Sequence, residues 1–388
     1  MRNRLPLFYA TSVLLWIALY AYIPYVAPYG EELGANHGLI GMIAGAYGFT
    51  QMLLRFPLGI LSDKLRMRKN FIIIGLFIAA ISGFIVYIFP SPTSLLAARG
   101  LAGIAVSSWV IFLILGASYF RNDETVKSSG YLNATNALGR TFALLLGGIM
   151  AERFGFSHAF LLSGIVAVIG LVLSFGIVEK KPEILKDPPR IRELLNVVRN
   201  HQLLSASVLA VIVQYIPFAT TFAFTPVIAI RLGANNMQLG WLGLISVLPG
   251  LFVSPLAGTI LPKKLGIKHT LVISFIIAGV ACIAVPFCQT LWQLFLVRMI
   301  GNAGTAASLT LLMGLCIQDI PTEHRATAMG FFQAVYGGGM FLGPFVMGWI
   351  SHGFGLAPAF IFTGVLGIIG AVLSVVFINK GFLRYTQG

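Results

Sequence analysis

Long apolar segments dominate this chain and restrict it to one class of fold. Twelve of them follow one another along 388 residues, of which 57% are hydrophobic and 10% are charged. Most reach the roughly 20 residues that a helix needs to cross the hydrocarbon core of a bilayer. Barrel strands would alternate polar and apolar residues, so the segments predict an all-α membrane protein with twelve transmembrane helices. Their approximate spans are 6–29, 38–61, 71–90, 93–120, 129–152, 157–178, 203–230, 238–261, 270–288, 291–318, 327–351 and 357–378.

The two halves of the chain resemble each other. The tetrapeptide Leu33-Gly34-Ala35-Asn36 returns 199 positions later, and Arg99 returns as Arg298 at the same offset. Further along the offset is 200, as between Gly139 and Gly339. Parallel repeats of this length build transporters from two similar halves. The repeat therefore predicts two six-helix bundles related by a pseudo-twofold axis along the membrane normal.

Basic residues are distributed unevenly between alternate loops. If the N-terminus is inside, the inside loops and tails hold twenty Lys and Arg residues, and the outside loops hold only Arg153 and Arg231. This bias follows the positive-inside rule and predicts a multi-pass protein of the cytoplasmic membrane with both termini in the cytoplasm. It also explains the net charge of +14 without a nucleic-acid partner. The first apolar segment is too long for a signal peptide, so we interpret it as helix 1.

One hydrophilic segment divides the chain into two domains. Residues 179–202 separate an N-terminal bundle, 1–178, from a C-terminal bundle, 203–388. The apolar spacing within 190–199 favours an amphipathic helix on the membrane surface, and a partly ordered tether is the alternative. No phosphate-binding loop, metal-ligand spacing or catalytic set is visible, so we expect no cofactor, no metal and no enzymatic activity. We expect a monomer in the lipid bilayer.

The membrane segments contain arginines but no acidic residue. All twelve carboxylates lie in loops or within a turn of a helix end, whereas Arg55, Arg99, Arg140 and Arg298 lie inside apolar segments. An arginine at the middle of a membrane helix costs ~2.5–3.5 kcal/mol on insertion scales, so such residues usually face a cavity and mark function.

Arg140 is the arginine predicted to lie deepest in the membrane, and it is the first residue of the candidate substrate site. Asn133 and Asn136 share its helix face, because the three residues are spaced three and four positions apart. The corresponding face of helix 11 carries Gln333 and Tyr336. This combination predicts a cavity for an amphipathic solute with an anionic or strongly accepting group. The alternative is that Arg140 pairs with backbone carbonyls and only holds helices together.

Several motifs resemble those of the major facilitator superfamily. The loop from Gly59 to Lys69 is similar to the family's signature loop between helices 2 and 3, and Arg99 with Gly103 resembles its helix 4 pattern. The glycines of helix 5 resemble the antiporter motif of the family's drug exporters. The central Gly-Pro of that motif is missing from helix 5 and occurs in helix 11 as Gly343-Pro344.

The resemblance implies roles for further residues. It implies that helices 1 and 7 line the cavity, which adds Tyr20 and Gln214 to the candidate site. Asn302 joins the candidate site because it shares a face of helix 10 with Arg298. For Arg298 itself, a helix-capping or gate contact is the alternative to a functional role. Asp63 is expected to bond near the cytoplasmic end of helix 4 or 11, with Arg121 as its candidate partner. The predicted gating and structural residues are Gly59, Asp63, Lys64, Arg68, Arg121, Arg99, Gly103, Arg298, Gly343 and Pro344.

These features predict a secondary active transporter. We expect it to move a small amphipathic organic solute, anionic in character, across the cytoplasmic membrane by alternating access. A proton-coupled multidrug efflux pump remains an alternative, although such pumps normally use a titratable carboxylate in the cavity. A flippase for lipids or lipid-linked headgroups is a further alternative, because arginine also suits phosphate. Coupling to a proton or to a counter-anion stays open.

Overall fold

A computed structural model describes residues 5–65, 67–120, 125–179, 200–321 and 325–378 of the chain. The described residues form twelve long helical segments and no strand. The segments are α1 Leu5–Glu32, α2 His37–Leu65, α3 Arg68–Ile88, α4 Pro92–Ser118, α5 Thr125–Phe154, α6 Phe156–Ser174, α7 His201–Arg231, α8 Asn236–Leu265, α9 Ile267–Phe287, α10 Leu291–Gln318, α11 Arg325–Phe354 and α12 Leu356–Phe377. The predicted all-α fold class is confirmed.

The lengths of the segments suit a membrane. Within the described ranges, nine segments are long and apolar enough to cross a bilayer. The other three, α2, α5 and α11, contain 29, 30 and 30 residues. At about 1.5 Å per residue each is longer than the ~30 Å hydrocarbon core, so length does not limit them. The polar stripe predicted for α5 lowers the apolar content of that helix.

The repeated tetrapeptide ends one helix and begins the next. Gly34 and Gly233 both have a φ of +86°, a left-handed conformation that glycine adopts without strain, and they follow α1 and α7. The asparagines two positions later cap the helices that follow. The Oδ1 of Asn36 accepts from the backbone N–H of Leu39 at 2.9 Å, and the Oδ1 of Asn235 accepts from that of Gln238 at 2.8 Å. Helix termination and capping therefore explain the most obvious repeat in the sequence.

Contacts between residues divide the chain into two compact units. Unit 1 comprises Met1–Gly34, Phe49–Pro189 and Asn235–Trp241, and unit 2 comprises Ala35–Gly48, Arg190–Ala234 and Leu242–Gly388. In unit 1, α1 packs against α5 and α6, and α3 packs against α4 and α6. In unit 2, α7 packs against α11 and α12, and α9 packs against α10 and α12. These four helix pairs of unit 1 therefore recur at the equivalent positions of unit 2.

The first turns of α2 belong to unit 2, and the first turn of α8 belongs to unit 1, so each makes its contacts with the opposite half of the sequence. In unit 2, the Nδ1 of His37 lies 3.4 Å from the carbonyl oxygen of Ser351. In unit 1, the Nδ2 of Asn236 donates to the carbonyl oxygen of Ala151 at 3.0 Å. The sequence repeat alone would assign both turns to their own halves. The predicted surface helix at 190–199 lies outside the described residues.

Three segments depart from regular α-helix. In α1 a 3₁₀ turn covers Ile23–Tyr25, and in α4 the helix is interrupted at Ser108. In α7 a π-helical turn covers Thr220–Phe224. Single π turns are rare and often occur at functional positions. The breaks in α1 and α7 coincide with the buried arginine contacts described below.

Candidate functional site

The candidate site in unit 1 depends on the close packing of α1 against α5. A Cβ atom at Gly139 would lie 2.6 Å from the Cβ of Trp16, and one at Gly147 would overlap the carbonyl oxygen of Ala21. Because no side chain separates the two helices at these glycines, their backbones approach closely. The residue that follows Gly139 is therefore held beside α1, and that residue is Arg140.

Arg140 is half-buried and lies over an aromatic ring. Its guanidinium carbon is 4.5 Å from the centroid of the Tyr20 ring, which is a cation–π contact. Its Nε is covered by protein, and within the described ranges no group accepts a hydrogen bond from the guanidinium. Pairing with backbone carbonyls, the alternative role, is therefore not seen in the described part of the chain. The guanidinium keeps its hydrogen-bonding capacity.

An aromatic cluster surrounds this arginine on one side. Trp16 and Tyr20 lie one turn apart on α1, with ring centroids separated by 5.6 Å. Trp109 of α4 meets Trp16 edge-on at 5.0 Å. All three side chains are buried. We call Trp16, Tyr20 and Trp109 the aromatic cluster.

The two asparagines predicted to accompany Arg140 differ in exposure. Asn133 is exposed and Asn136 is half-buried. Neither side chain forms a hydrogen bond with another residue in the described ranges. Solute contacts by Asn133 and Asn136 remain predictions.

The matching stripe in unit 2 is more buried. Tyr336 is buried and meets the Phe332 ring edge-on at 5.4 Å, while Gln333 is half-buried. The α11 backbone approaches α7 at Gly343, where a Cβ atom would lie 2.6 Å from the carbonyl oxygen of Tyr215. Pro344, the next residue, lies inside α11. Solute contacts by Gln333 and Tyr336 remain predictions.

The arginines of helices 4 and 10 occupy matching environments. Arg99 and Arg298 are both buried, with exposed fractions of 3% and 1%. The guanidinium carbon of Arg99 lies 6.0 Å from the centroid of the Tyr22 ring. The Nη2 of Arg298 donates to the hydroxyl of Thr221, the residue 199 positions after Tyr22. Each arginine therefore contacts the first helix of its own repeat at the same position.

Asn302 belongs to the Arg298 cluster. Its Nδ2 donates to the carbonyl oxygen of Arg298 at 2.9 Å, and its Oδ1 accepts from the hydroxyl of Thr221 at 3.2 Å. The Nη1 of Arg298 donates to the Sγ of Cys282 at 3.8 Å. We call Arg298, Thr221, Asn302 and Cys282 the arginine cluster. Hydrogen bonds within this cluster occupy both the Oδ1 and the Nδ2 of Asn302. The predicted cavity residue Gln214 is buried on α7, and its side chain forms no hydrogen bond with a described residue.

A carboxylate that the sequence did not single out caps α3. The Glu179 side chain accepts from the backbone N–H groups of Arg68 and Lys69, at 2.9 and 3.1 Å. Beside it the Tyr119 hydroxyl donates to the carbonyl oxygen of Val178 at 2.6 Å. Burial, and then the Glu179 charge, raise the pKa of Tyr119 to about 12. Arg68, which is predicted as a cation of the motif, therefore also donates its backbone N–H to Glu179.

A second carboxylate that the sequence did not single out lies near the end of α5 and caps the start of α8. The Oε2 of Glu152 accepts from the backbone N–H of Met237 at 3.1 Å, beside the Asn236 contact to Ala151. A carboxylate at a helix N-terminus is favoured by the helix dipole. The corresponding position of the second repeat is His352. This difference between the repeats is the only signal in the sequence that could have drawn attention to Glu152.

Some motif residues cannot be placed. Arg121 lies outside the described residues, as do the side chains of Asp63 and Lys64 and the surroundings of Gly59. The Asp63–Arg121 contact remains a prediction. Gly103, by contrast, lies in α4, where its carbonyl oxygen accepts from the Ser107 hydroxyl at 2.8 Å. In the described ranges no cluster of His, Cys, Asp and Glu could hold a metal ion.

Known proteins resemble this chain along most of its length. The sequence profile of the Major Facilitator Superfamily matches residues 8–264 and 208–385. An uncharacterised MFS-type transporter of Methanocaldococcus jannaschii, MJ1560, is 24% identical over 367 residues, which cover 92% of this chain and 93% of that protein. Multidrug resistance protein MdtG of Salmonella paratyphi A is 25% identical over 349 residues, 86% of this chain and 79% of MdtG. A bacterial homolog of the human lysosomal transporter Spinster, in an inward-facing and occupied conformation, superposes with a TM-score of 0.80 at 15% identity over 97% of this chain and 96% of that one.

Proposed function

Because this chain belongs to the Major Facilitator Superfamily, we propose that it is a secondary transporter that moves a small amphipathic organic anion by alternating access. Its nature as a multi-pass membrane transporter rests on the family. The anionic character of the solute is the part that we propose from the residues of unit 1.

The observation that supports an anion is the state of Arg140. A guanidinium in a membrane helix needs a compensating group, and the described residues offer it only the Tyr20 ring. A cation–π contact is worth about 0.5–2 kcal/mol and uses none of the five N–H donors. A carboxylate, sulfonate or phosphate of the solute would occupy those donors.

The neighbouring residues support an amphipathic solute. Asn133 and Asn136 supply amide donors and acceptors along the same face, and the aromatic cluster supplies apolar surface. A ligand with a charged end and an apolar body matches that arrangement.

Multidrug efflux is the second candidate function. The relative MdtG is a multidrug resistance protein, and the match covers most of both chains. Against this reading, the twelve spans contain no acidic residue away from their ends, whereas a pump for cationic drugs would use one. Under this second function the site would bind hydrophobic solutes whatever their charge, and substitution of Arg140 would not change their affinity.

Substitution of Arg140 tests the proposal. Loss of a hydrogen bond to a charged group costs about 1.5–3 kcal/mol, so Arg140→Ala should weaken binding of an anionic solute roughly ten- to hundredfold. Arg140→Lys should recover only part of the affinity, because the planar fork is lost. Binding is measured in nanodiscs with benzoate and octanoate as probes.

Arg231→Ala is the matched control, since Arg231 is an exposed arginine at the end of α7. It should bind both probes like the wild type. Equal affinity of Arg140→Ala and wild type for every anion that binds would contradict the proposal and favour efflux of apolar drugs.

A further inference from the structure

Two buried hydrogen-bond donors, one on Trp16 and one on Arg140, lack an acceptor among the described residues. The indole Nε1 of Trp16 and the Nε of Arg140 are both covered by protein, and neither has a hydrogen-bond partner among the described residues. Trp16 as a whole is only 6% exposed. Leaving a buried donor unsatisfied is costly, and most buried polar groups in folded proteins do have partners.

The packing brings these two donors to the same part of unit 1. Gly139, the residue before Arg140, packs directly on the Trp16 side chain, and Arg140 lies over Tyr20, one turn further along α1. The donors therefore come from two helices that touch at this point. One negatively charged group with two oxygens could accept from both.

The aromatic cluster adds a requirement for the body of the ligand. The Trp16 ring has Tyr20 at 5.6 Å and Trp109 at 5.0 Å, in tilted and edge-on orientations. Aromatic rings in such clusters gain from a further ring beyond the simple burial of apolar area. A saturated body of the same volume would lack that gain.

We propose that the solute is a planar aromatic anion, and that Trp16 is the residue that selects it. The indole N–H donates to the anionic group beside Arg140, and the ring stacks with the aromatic body. This inference rests on the proposed function, because it names the substrate class of the same site.

The test compares two acids of the same skeleton, 1-naphthoate and decahydro-1-naphthoate, on the full-length protein in nanodiscs. The wild type should bind 1-naphthoate about five- to tenfold more tightly, which lies within the range expected for an aromatic contact. Trp16→Phe keeps a ring but removes the N–H donor. It should weaken both acids about tenfold and leave their ratio unchanged.

Trp16→Leu removes the donor and the ring together. It should weaken both acids and also bring their affinity ratio to within about twofold of one. A purely structural role of Trp16 would not separate these two effects. Trp292→Phe is the control, because Trp292 is 76% exposed at the start of α10, and it should match the wild type.

Each outcome decides the inference. A wild-type ratio near one, or Trp16→Phe binding both acids like the wild type, would overturn it and leave the anion proposal standing. The inference also fails if neither acid binds, and a wider panel of charged solutes then judges the proposed function separately. If Arg140→Ala bound the anionic solutes with wild-type affinity, the proposed function itself would be contradicted.

Discussion

Arg298 illustrates how a single residue is accommodated inside a membrane protein. Its side chain is 1% exposed, and the partners found for it in unit 2 are a hydroxyl and a thiol, not a carboxylate. A charged group in such a place depends on the dipoles of its protein neighbours, because burial removes it from bulk water. Thr221 is the central partner, since its hydroxyl accepts from Arg298 and donates to Asn302.

Replacement of Thr221 should therefore destabilise the protein. Thr221→Val keeps the shape of the side chain but leaves a buried donor of Arg298 without its acceptor, at a cost of about 1–3 kcal/mol. The measurement is thermal unfolding of the purified protein in one detergent. Thr259→Val is the control, because Thr259 is exposed and bonds only to the carbonyl oxygen of Pro255. If both variants unfold at the same temperature, the arginine cluster does not contribute to stability.

The sequence located these residues better than it assigned their roles. The arginines stood out because charge is rare in membrane helices, and the offset of 199 paired Arg99 with Arg298. The partners could not be predicted, because Thr221 and Cys282 lie on other helices, 77 and 16 residues away from Arg298. Only the packing of the helices brings them together.

At the scale of the helices, small residues set the architecture. The glycines of α5 that resemble an antiporter motif do not share one role. Gly139 and Gly147 meet α1 directly, whereas a Cβ atom at Gly130 would meet nothing within 4 Å. Because the same helix carries crowded and open glycines, their effects on packing can be separated by mutation.

Gly147→Ala should reduce stability, and Gly130→Ala should not. An added methyl at Gly147 overlaps the backbone of Ala21, and overpacking of this kind costs about 1–3 kcal/mol. At Gly130 the same change meets open space and gains the higher helix propensity of alanine, worth up to about 1 kcal/mol. Melting temperature and the fraction of monodisperse protein after purification report the difference. Equal behaviour of the two variants would show that α1 and α5 do not need this close approach.

Helix existence was predictable, but helix interruption and capping were not. Apolar runs of bilayer length and the positive-φ glycines at 34 and 233 carry clear local signals. No local pattern in the sequence singled out Thr220–Phe224 as the π turn of α7. Glu152 and Glu179 cap helices 85 and 110 or more residues away in the chain, so spacing along the sequence could not reveal them.

At the scale of the whole molecule, the two repeats share their helix pairings but differ in chemistry. Both units bury an arginine at equivalent positions, Arg99 and Arg298, whereas the half-buried Arg140 of unit 1 corresponds to Met340 in unit 2. The polar stripe of α5 contains a cation and two amides, and the equivalent positions of α11 contain an amide, a phenol and a thioether. We therefore propose that charge recognition belongs to the first half of the chain.

Uptake into proteoliposomes tests this central claim most directly. Permanently charged solutes avoid passive leakage, so each aryl or alkyl sulfonate is paired with the trimethylammonium compound of the same skeleton. Uptake is measured with and without a pH gradient, for wild type and Arg140→Ala. We expect uptake of sulfonates, little uptake of the ammonium partners, and loss of sulfonate uptake in Arg140→Ala. Uptake of the ammonium compounds alone, or sulfonate uptake that is unchanged in Arg140→Ala, would contradict it.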